Sequence, residues 1–126
     1  MAEAAQKHIL IVEDEEAEAT LLKLLLESAG FQVHTEAGGK LALGYAFEHR
    51  PDLVILDLKL PDMHGYEVCQ AMRKLSHPWP VPIVMLTGME RPIDQVRGFA
   101  FGADAYLTKP CDSNELLKTI EQLVQP

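Results

Sequence analysis

The sequence is poor in cysteine, in aromatic side chains and in positive charge, and it has no long apolar run. Its two cysteines, Cys69 and Cys111, are too few for a disulfide framework and stand in no metal-binding spacing. His8, His34, His49, His64 and His77 show no ligand spacing either. Lys and Arg number 11 against 19 Asp and Glu, a formal net charge of -8, so the phosphate-neutralising footprint of a nucleic-acid binder is missing. An anionic membrane surface would repel the same charge. No stretch approaches the ~20 apolar residues that span a bilayer. Met1 to Lys7, MAEAAQK, lacks the apolar centre of a secretory signal. A reducing, cytoplasmic setting is expected, with no membrane insertion and no direct nucleic-acid binding.

What is present suits one domain. At 126 residues with 48% hydrophobic and 24% charged, the chain can bury one core and is not disordered in bulk. The boundaries read as a tail over 1–7, a domain over 8–124 and an end at 125–126. His8-Ile9-Leu10-Ile11-Val12 is too short for a buried helix and reads as a strand covered on both faces. Acidic residues then open a helix on which Leu21, Leu22 and Leu25 share a face, and Gly30 stops it. Phe31 to Thr35 alternates as a second strand, and a helix follows over Lys40 to Glu48 until Pro51-Asp52. Leu53 to Leu56 repeats the first pattern and ends on Asp57. Val68, Met72 and Leu75 mark a third helix, from which Pro78, Pro80 and Pro82 lead to a strand over Ile83 to Thr87. Ile93 to Phe101 is helical up to Gly102, Ala105 to Thr108 is a fifth strand, and Leu116, Leu117, Ile120, Leu123 and Val124 stripe a last helix. This alternation predicts an α/β fold, a flavodoxin-like (βα)5 doubly wound parallel sheet of strand order 2-1-3-4-5.

Ligands of such sheets sit beyond the carboxyl ends of the strands. The first strand delivers Glu13 and Asp14 there, the third Asp57, the fourth Thr87, the fifth Lys109. Singly, each has an ordinary role. Acids can open a helix against its dipole, a strand-end Asp can accept loop N–H groups, and an isolated Lys is solvated. Together they are harder to explain away, because two close carboxylates repel by about 4 kcal/mol at an effective dielectric constant near 20. A divalent cation relieves that, and an oxygen-only donor set suits Mg²⁺. With Lys109 as a second positive charge and Thr87 as a hydroxyl donor, the set describes a carboxylate, Asp57, that takes a phosphoryl group by nucleophilic attack.

Over about residues 8 to 124 the sequence resembles the receiver domain of two-component response regulators. The matching segments are ILIVEDEE at Ile9 to Glu16, DLVILDLKLPDMHGYE at Asp52 to Glu67, PIVMLTG at Pro82 to Gly88 and GADAYLTKP at Gly102 to Pro110. The resemblance implies that Glu13 and Asp14 hold Mg²⁺ with Asp57 and the Lys59 backbone carbonyl, and that Asp57 is the phospho-acceptor. It implies Thr87 as switch hydroxyl, Tyr106 as the aromatic that changes rotamer, and Lys109 as the phosphate-binding lysine before a cis Pro110. Pro61 and Gly65 match the loop after the acceptor. The donor would be a phosphohistidine of a sensor histidine kinase or histidine phosphotransfer protein. The readout would be a face of helix 4, strand 5 and helix 5 that meets a downstream protein or output domain. Such a domain signals; its only chemistry is its own phosphorylation and dephosphorylation.

Some positions depart from the pattern. Glu13 stands where many members have Asp, Gly88 where Ala is usual, and Cys111 where Phe is frequent. Cys69 and Cys111 are expected as apolar filling, and Trp79 as a loop side chain over apolar surface. Lys59 and Met89 stand two residues past Asp57 and Thr87, where they are expected to slow hydrolysis. Ala105 and Asn114 replace an Asp and an Arg common in the subfamily that dimerises through the readout face, so that dimer is not expected. Three other classes compete. A pseudo-receiver would keep the fold as a docking module without phosphorylation, but all the site residues are retained. An FMN carrier needs a neutral, hydroxyl-rich first loop, which Glu13 to Glu16 contradict. A phosphatase of the aspartyl-nucleophile kind wants an acid where Lys59 stands. Whether the chain acts alone or within a larger regulator or hybrid kinase stays open.

Overall fold

Apolar runs of four or five residues that alternate with helical stripes leave few packings, and the computed structural model shows which is adopted. It describes residues 6–75 and 80–124. In chain order the elements are β1 (His8–Val12), α1 (Glu16–Ser28), β2 (Gln32–Glu36), α2 (Gly39–His49), β3 (Leu53–Leu56), α3 (Gly65–Leu75), β4 (Ile83–Thr87), α4 (Pro92–Ala100), β5 (Ala105–Thr108) and α5 (Ser113–Leu123). The five strands form one sheet in the order β2-β1-β3-β4-β5, every pair parallel. Fold class and strand order are those expected.

Alternate residues of a strand face opposite sides, so the central strands feed two cores. Leu10, Val12, Val54, Leu56, Ile83 and Met85 pack with Ala42, Ala46, Val68, Cys69 and Met72 from α2 and α3. On the other side Ile9, Ile11, Leu53, Ile55, Val84 and Leu86 pack with Leu26 of α1 and with Leu116 and Ile120 of α5. Each fully buried aliphatic side chain contributes about 1.5–3 kcal/mol. Arg73 of α3 ties down the opposite rim: it donates to the carbonyls of Val81 and Gly102 and pairs with Asp104 at 2.5 Å.

Several expected boundaries move. β2 starts at Gln32 because the Phe31 N–H still closes α1, donating to the Leu26 carbonyl at 3.0 Å. α4 starts at Pro92, with Asp94 accepting from the Arg91 N–H at 3.1 Å. Gly30 and Gly102 end α1 and α4 with φ of 97° and 112°. Leu21 is the clear correction: it is 68% exposed, and the buried positions of α1 are Ala19 and Leu26. A face drawn through Leu21, Leu22 and Leu25 was rotated too far, and the sheet meets Leu22, Leu25 and Leu26. Pro78 and Trp79 lie outside the described residues.

The loop after β3 is held by close approach. A Cβ on buried Gly65 would lie 2.5 Å from Leu58 Cα and 2.8 Å from the Asp57 carbonyl oxygen. The backbone must move for any side chain there, and overpacking of this kind costs about 1–3 kcal/mol. Gly44, inside α2, has open space where a Cβ would go. Urea unfolding should therefore separate the two: Gly65→Ala lowers the midpoint, whereas Gly44→Ala raises stability by about 0.5–1 kcal/mol.

Candidate functional site

Because β1 sits between β2 and β3, the chain leaves β1 and β3 in opposite directions and opens a crevice at their carboxyl ends. Backbone pairing carries the site residues into it. Val12 is level with Leu56, and beyond them the Asp57 N–H donates to the Val12 carbonyl and the Glu13 N–H to the Glu36 carbonyl, both at 3.0 Å. On the far side the Lys109 N–H donates to the Thr87 carbonyl at 2.8 Å, and the Lys109–Pro110 bond is cis. The strand ladders thus run one residue past each strand and fix the bases of Glu13, Asp57 and Lys109.

Glu13 and Asp57 are buried and Asp14 is exposed; one carboxylate oxygen of each lies within 4.8 Å of the others. This is a donor set of hard oxygens, one edge open to water, which fits a divalent ion of the Mg²⁺ type that keeps several waters. The positive charge at hand is Lys109. Its Nζ donates to Glu13 Oε1 at 2.5 Å, to Glu18 Oε2 at 2.5 Å and to Asp57 Oδ2 at 3.1 Å. Burial pulls the ammonium down, but the three carboxylates more than offset it, and the lysine pKa lies above its ordinary value. Lys109 favours the charged form of both glutamates, yet their carboxyls shift in opposite directions. Burial pushes the Glu13 carboxyl up to about 7, whereas Lys109 holds the carboxyl of Glu18 below the usual carboxylate range. Their side chains are 3% and 41% exposed, and that difference decides the direction.

Thr87 is fully buried at the end of β4, and its Oγ1 accepts the Met89 N–H at 3.3 Å. The Tyr106 hydroxyl donates to the carbonyl of the same Met89 at 2.6 Å. Burial pushes that phenol up to about 12. The Tyr106 ring lies over Gly98, where a Cβ would come within 2.7 Å of it. On the acceptor side, Asp57 Oδ1 takes the Lys59 N–H at 3.3 Å, and Lys59 forms a bridge with His64. Pro61 is exposed at the turn, and Gly65 returns its N–H to the Leu58 carbonyl at 2.9 Å. Asp62 then caps α2 through the N–H groups of Gly39 and Lys40, at 2.8 and 3.0 Å, which lower its pKa.

So Glu13, Asp14, Asp57 and Lys109 come together at one rim, with the Lys59 backbone beside Asp57. Thr87 and Tyr106 are joined through Met89. The residue that sequence reasoning missed is Glu18. A signal was available: Glu18, Leu22 and Leu25 follow helical spacing, so a carboxylate heads the stripe that faces the sheet. Spacing also gave no hint that His34 and His49 stack on Tyr45, at 3.8 and 4.2 Å, or that the Tyr45 hydroxyl meets His8 Nε2 at 2.6 Å. Cys69 is buried in the core and Cys111 half-buried beside α5; burial first, and for Cys111 then the Glu115 carboxylate, push both thiols up to about 11. Neither is a thiolate nucleophile near neutral pH.

Known proteins resemble this chain in sequence and in fold. The family model described as response regulator receiver domain matches residues 9–121. The chain is 38% identical over 117 residues to the DNA-binding dual master transcriptional regulator RpaA of Synechocystis, covering 93% of this chain and 48% of that protein. It is 40% identical over 119 residues to the alkaline phosphatase synthesis transcriptional regulatory protein PhoP of Bacillus subtilis, covering 94% and 49%. The chain thus spans about half the length of the curated relatives it matches. Among solved structures it is similar to the chemotaxis protein CheY4 of Vibrio cholerae, with a TM-score of 0.88 at 35% identity and coverage of 94% and 99%. It is also similar to the receiver domain of the sensor histidine kinase PA1611 of Pseudomonas aeruginosa, solved with a magnesium ion in its active-site cleft. There the TM-score is 0.87 at 30% identity, with coverage of 95% and 98%. No described helix is long and apolar enough to cross a membrane. A rim built from strand-end acids and one lysine, on this sheet order and with a family model over 9–121, places the chain in the response regulator receiver domain family of two-component systems.

Proposed function

We propose that this chain accepts a phosphoryl group on Asp57, in a Mg²⁺-dependent reaction, from a phosphohistidine of a sensor kinase or phosphotransfer protein. The observation that carries this reading is the convergence of Glu13, Asp14 and Asp57 oxygens beside the Lys109 ammonium. Glu13, Asp14, Asp57 and the Lys59 carbonyl would hold the ion. When bound it would offset the charge that builds as an anionic carboxylate approaches an anionic phosphoryl group. An Asp57 carboxylate oxygen attacks phosphorus, the P–N bond to the donor breaks, and its electron pair stays on the imidazole nitrogen. Lys109 offers its charge to a phosphoryl oxygen. The Thr87 hydroxyl, which now only accepts from Met89, keeps its proton free to donate to another.

The readout follows from what Thr87 is joined to. Moving its hydroxyl toward Asp57 breaks the bond to the Met89 N–H, and Met89 also holds the Tyr106 hydroxyl. Tyr106 is thereby released to turn inward, which alters the face of α4, β5 and α5, where Ile93, Val96 and Phe99 already expose apolar surface. A downstream protein or an output domain would read that face. Lys59 and Met89 flank the acceptor, and bulk at these positions restricts water's line of approach to the acyl phosphate.

Three measurements test the reading. Incubation with Mg²⁺ and acetyl phosphate should add one phosphoryl group by mass to the wild type and none to Asp57→Asn. Lys109→Met should slow the reaction about 100-fold, the scale of losing one charge-stabilising donor. An unmodified wild type would instead mark a docking module that is never phosphorylated. In thermal unfolding without a phosphodonor, Mg²⁺ at about 100 times its Kd should stabilise the wild type by about 2.7 kcal/mol, and Asp14→Asn should lose most of that gain. In a chase after donor removal, Lys59→Ala and Met89→Ala should each shorten the life of the phosphorylated form; unchanged decay would exclude the shielding role.

A further inference from the structure

A lysine ammonium has three N–H donors. In Lys109 all three are used, on Glu13, Glu18 and Asp57. The two glutamates are the nearer partners at 2.5 Å each, and the acceptor is the farther at 3.1 Å. At rest the ammonium therefore leans away from Asp57, and no donor is left for a phosphoryl oxygen. One existing bond has to yield.

The three partners differ in how readily they can be given up. Asp57 is the reacting group itself. Glu13 is 3% exposed, its second oxygen accepts the Glu15 N–H at 3.1 Å, and it belongs to the trio of gathered oxygens. Glu18 lies outside that trio, on the first turn of α1, where the helix dipole favours a carboxylate. Its side chain is 41% exposed, so water can take over its solvation when the lysine leaves. We propose that Glu18 is a positioning residue for Lys109: it holds the ammonium on the α1 side at rest and releases it for the phosphoryl group on Asp57. This rests on the phospho-acceptor reading above. Removing the pair raises the resting state in energy and lowers the work of moving Lys109 to the phosphoryl oxygens. Glu18→Gln should therefore be phosphorylated faster.

The expected gain is about two- to fivefold in the second-order rate constant with acetyl phosphate at saturating Mg²⁺, the range open to a partly exposed ion pair. Glu16→Gln removes the same charge from the same turn without touching Lys109, and should leave the rate unchanged. A double-mutant cycle supplies the readout that a merely structural role would not move: in a Lys109→Met background, Glu18→Gln should have no effect. Independently of any reaction, the Lys109 ammonium resonance in metal-free protein should shift in Glu18→Gln and stay put in Glu16→Gln. A wild type that takes no phosphoryl group on Asp57 overturns the underlying reading and this role with it. A wild type that is phosphorylated normally, with Glu18→Gln no faster, or with a gain that survives in Lys109→Met or is matched by Glu16→Gln, overturns the role of Glu18 alone.

Discussion

Everything at the carboxyl edge of the sheet depends on keeping negative charge where the fold would otherwise expel it. Glu13 and Asp57 are buried on neighbouring strands, and Asp14 and Glu18 add to the same field. Two carboxylates at contact distance cost about 4 kcal/mol at an effective dielectric constant of 20, before any cost of removing them from water. Lys109 is the counter-charge the chain itself provides, and it is shared by three of them. Burial raises the Glu13 carboxyl to about 7 although that lysine lies at 2.5 Å. One ammonium shared among three carboxylates leaves the cluster net negative, a setting that suits a divalent cation.

The rest of the architecture serves that arrangement. The ladder bonds that continue past β1, β3 and β5 set the backbone of each charged residue before its side chain is considered. Gly65 lets the loop after Asp57 fold directly onto Leu58, and Asp62 fastens the same loop to the start of α2. Both contacts restrain the loop that follows Asp57. On the other flank, the Met89 backbone holds both the Thr87 hydroxyl and the Tyr106 hydroxyl. Neither group can move without unsettling a bond made by the other's anchor.

How much of this was legible in the sequence follows from how many physical constraints act on each residue. β1, β3 and β4 are covered on both faces, so their apolar runs were unmistakable and their ends exact enough to point at Asp57 and Thr87. β2 is an edge strand with exposed and half-buried positions, and its start depends on where α1 stops, which apolar patterning alone does not encode. Leu21 misled because five leucines in six positions, Leu21, Leu22, Leu24, Leu25 and Leu26, allow more than one helical face. Only contact with the sheet selects the rotation that buries Leu26 and leaves Leu21 in water. The stack of His34 and His49 on Tyr45 joins β2 to α2 across chain distances that no short motif spans.

Glu18 was hidden for a different reason. Within a run of acids at a helix start, one more carboxylate reads as dipole compensation, and that reading is physically correct as far as it goes. What separates Glu18 from Glu15 and Glu16 is direction: it lies above Leu22 and Leu25 on the face turned to the sheet, so it meets Lys109. Glu13 and Glu18 then make equally short bonds to one ammonium, yet their carboxyls shift in opposite directions. A buried partner cannot release a cation without being left charged in a poor solvent, whereas an exposed one is resolvated at small cost. A lysine that must travel between a resting place and a new anion is best served by one partner of each kind. The buried one keeps it in the crevice, and the exposed one can let it go.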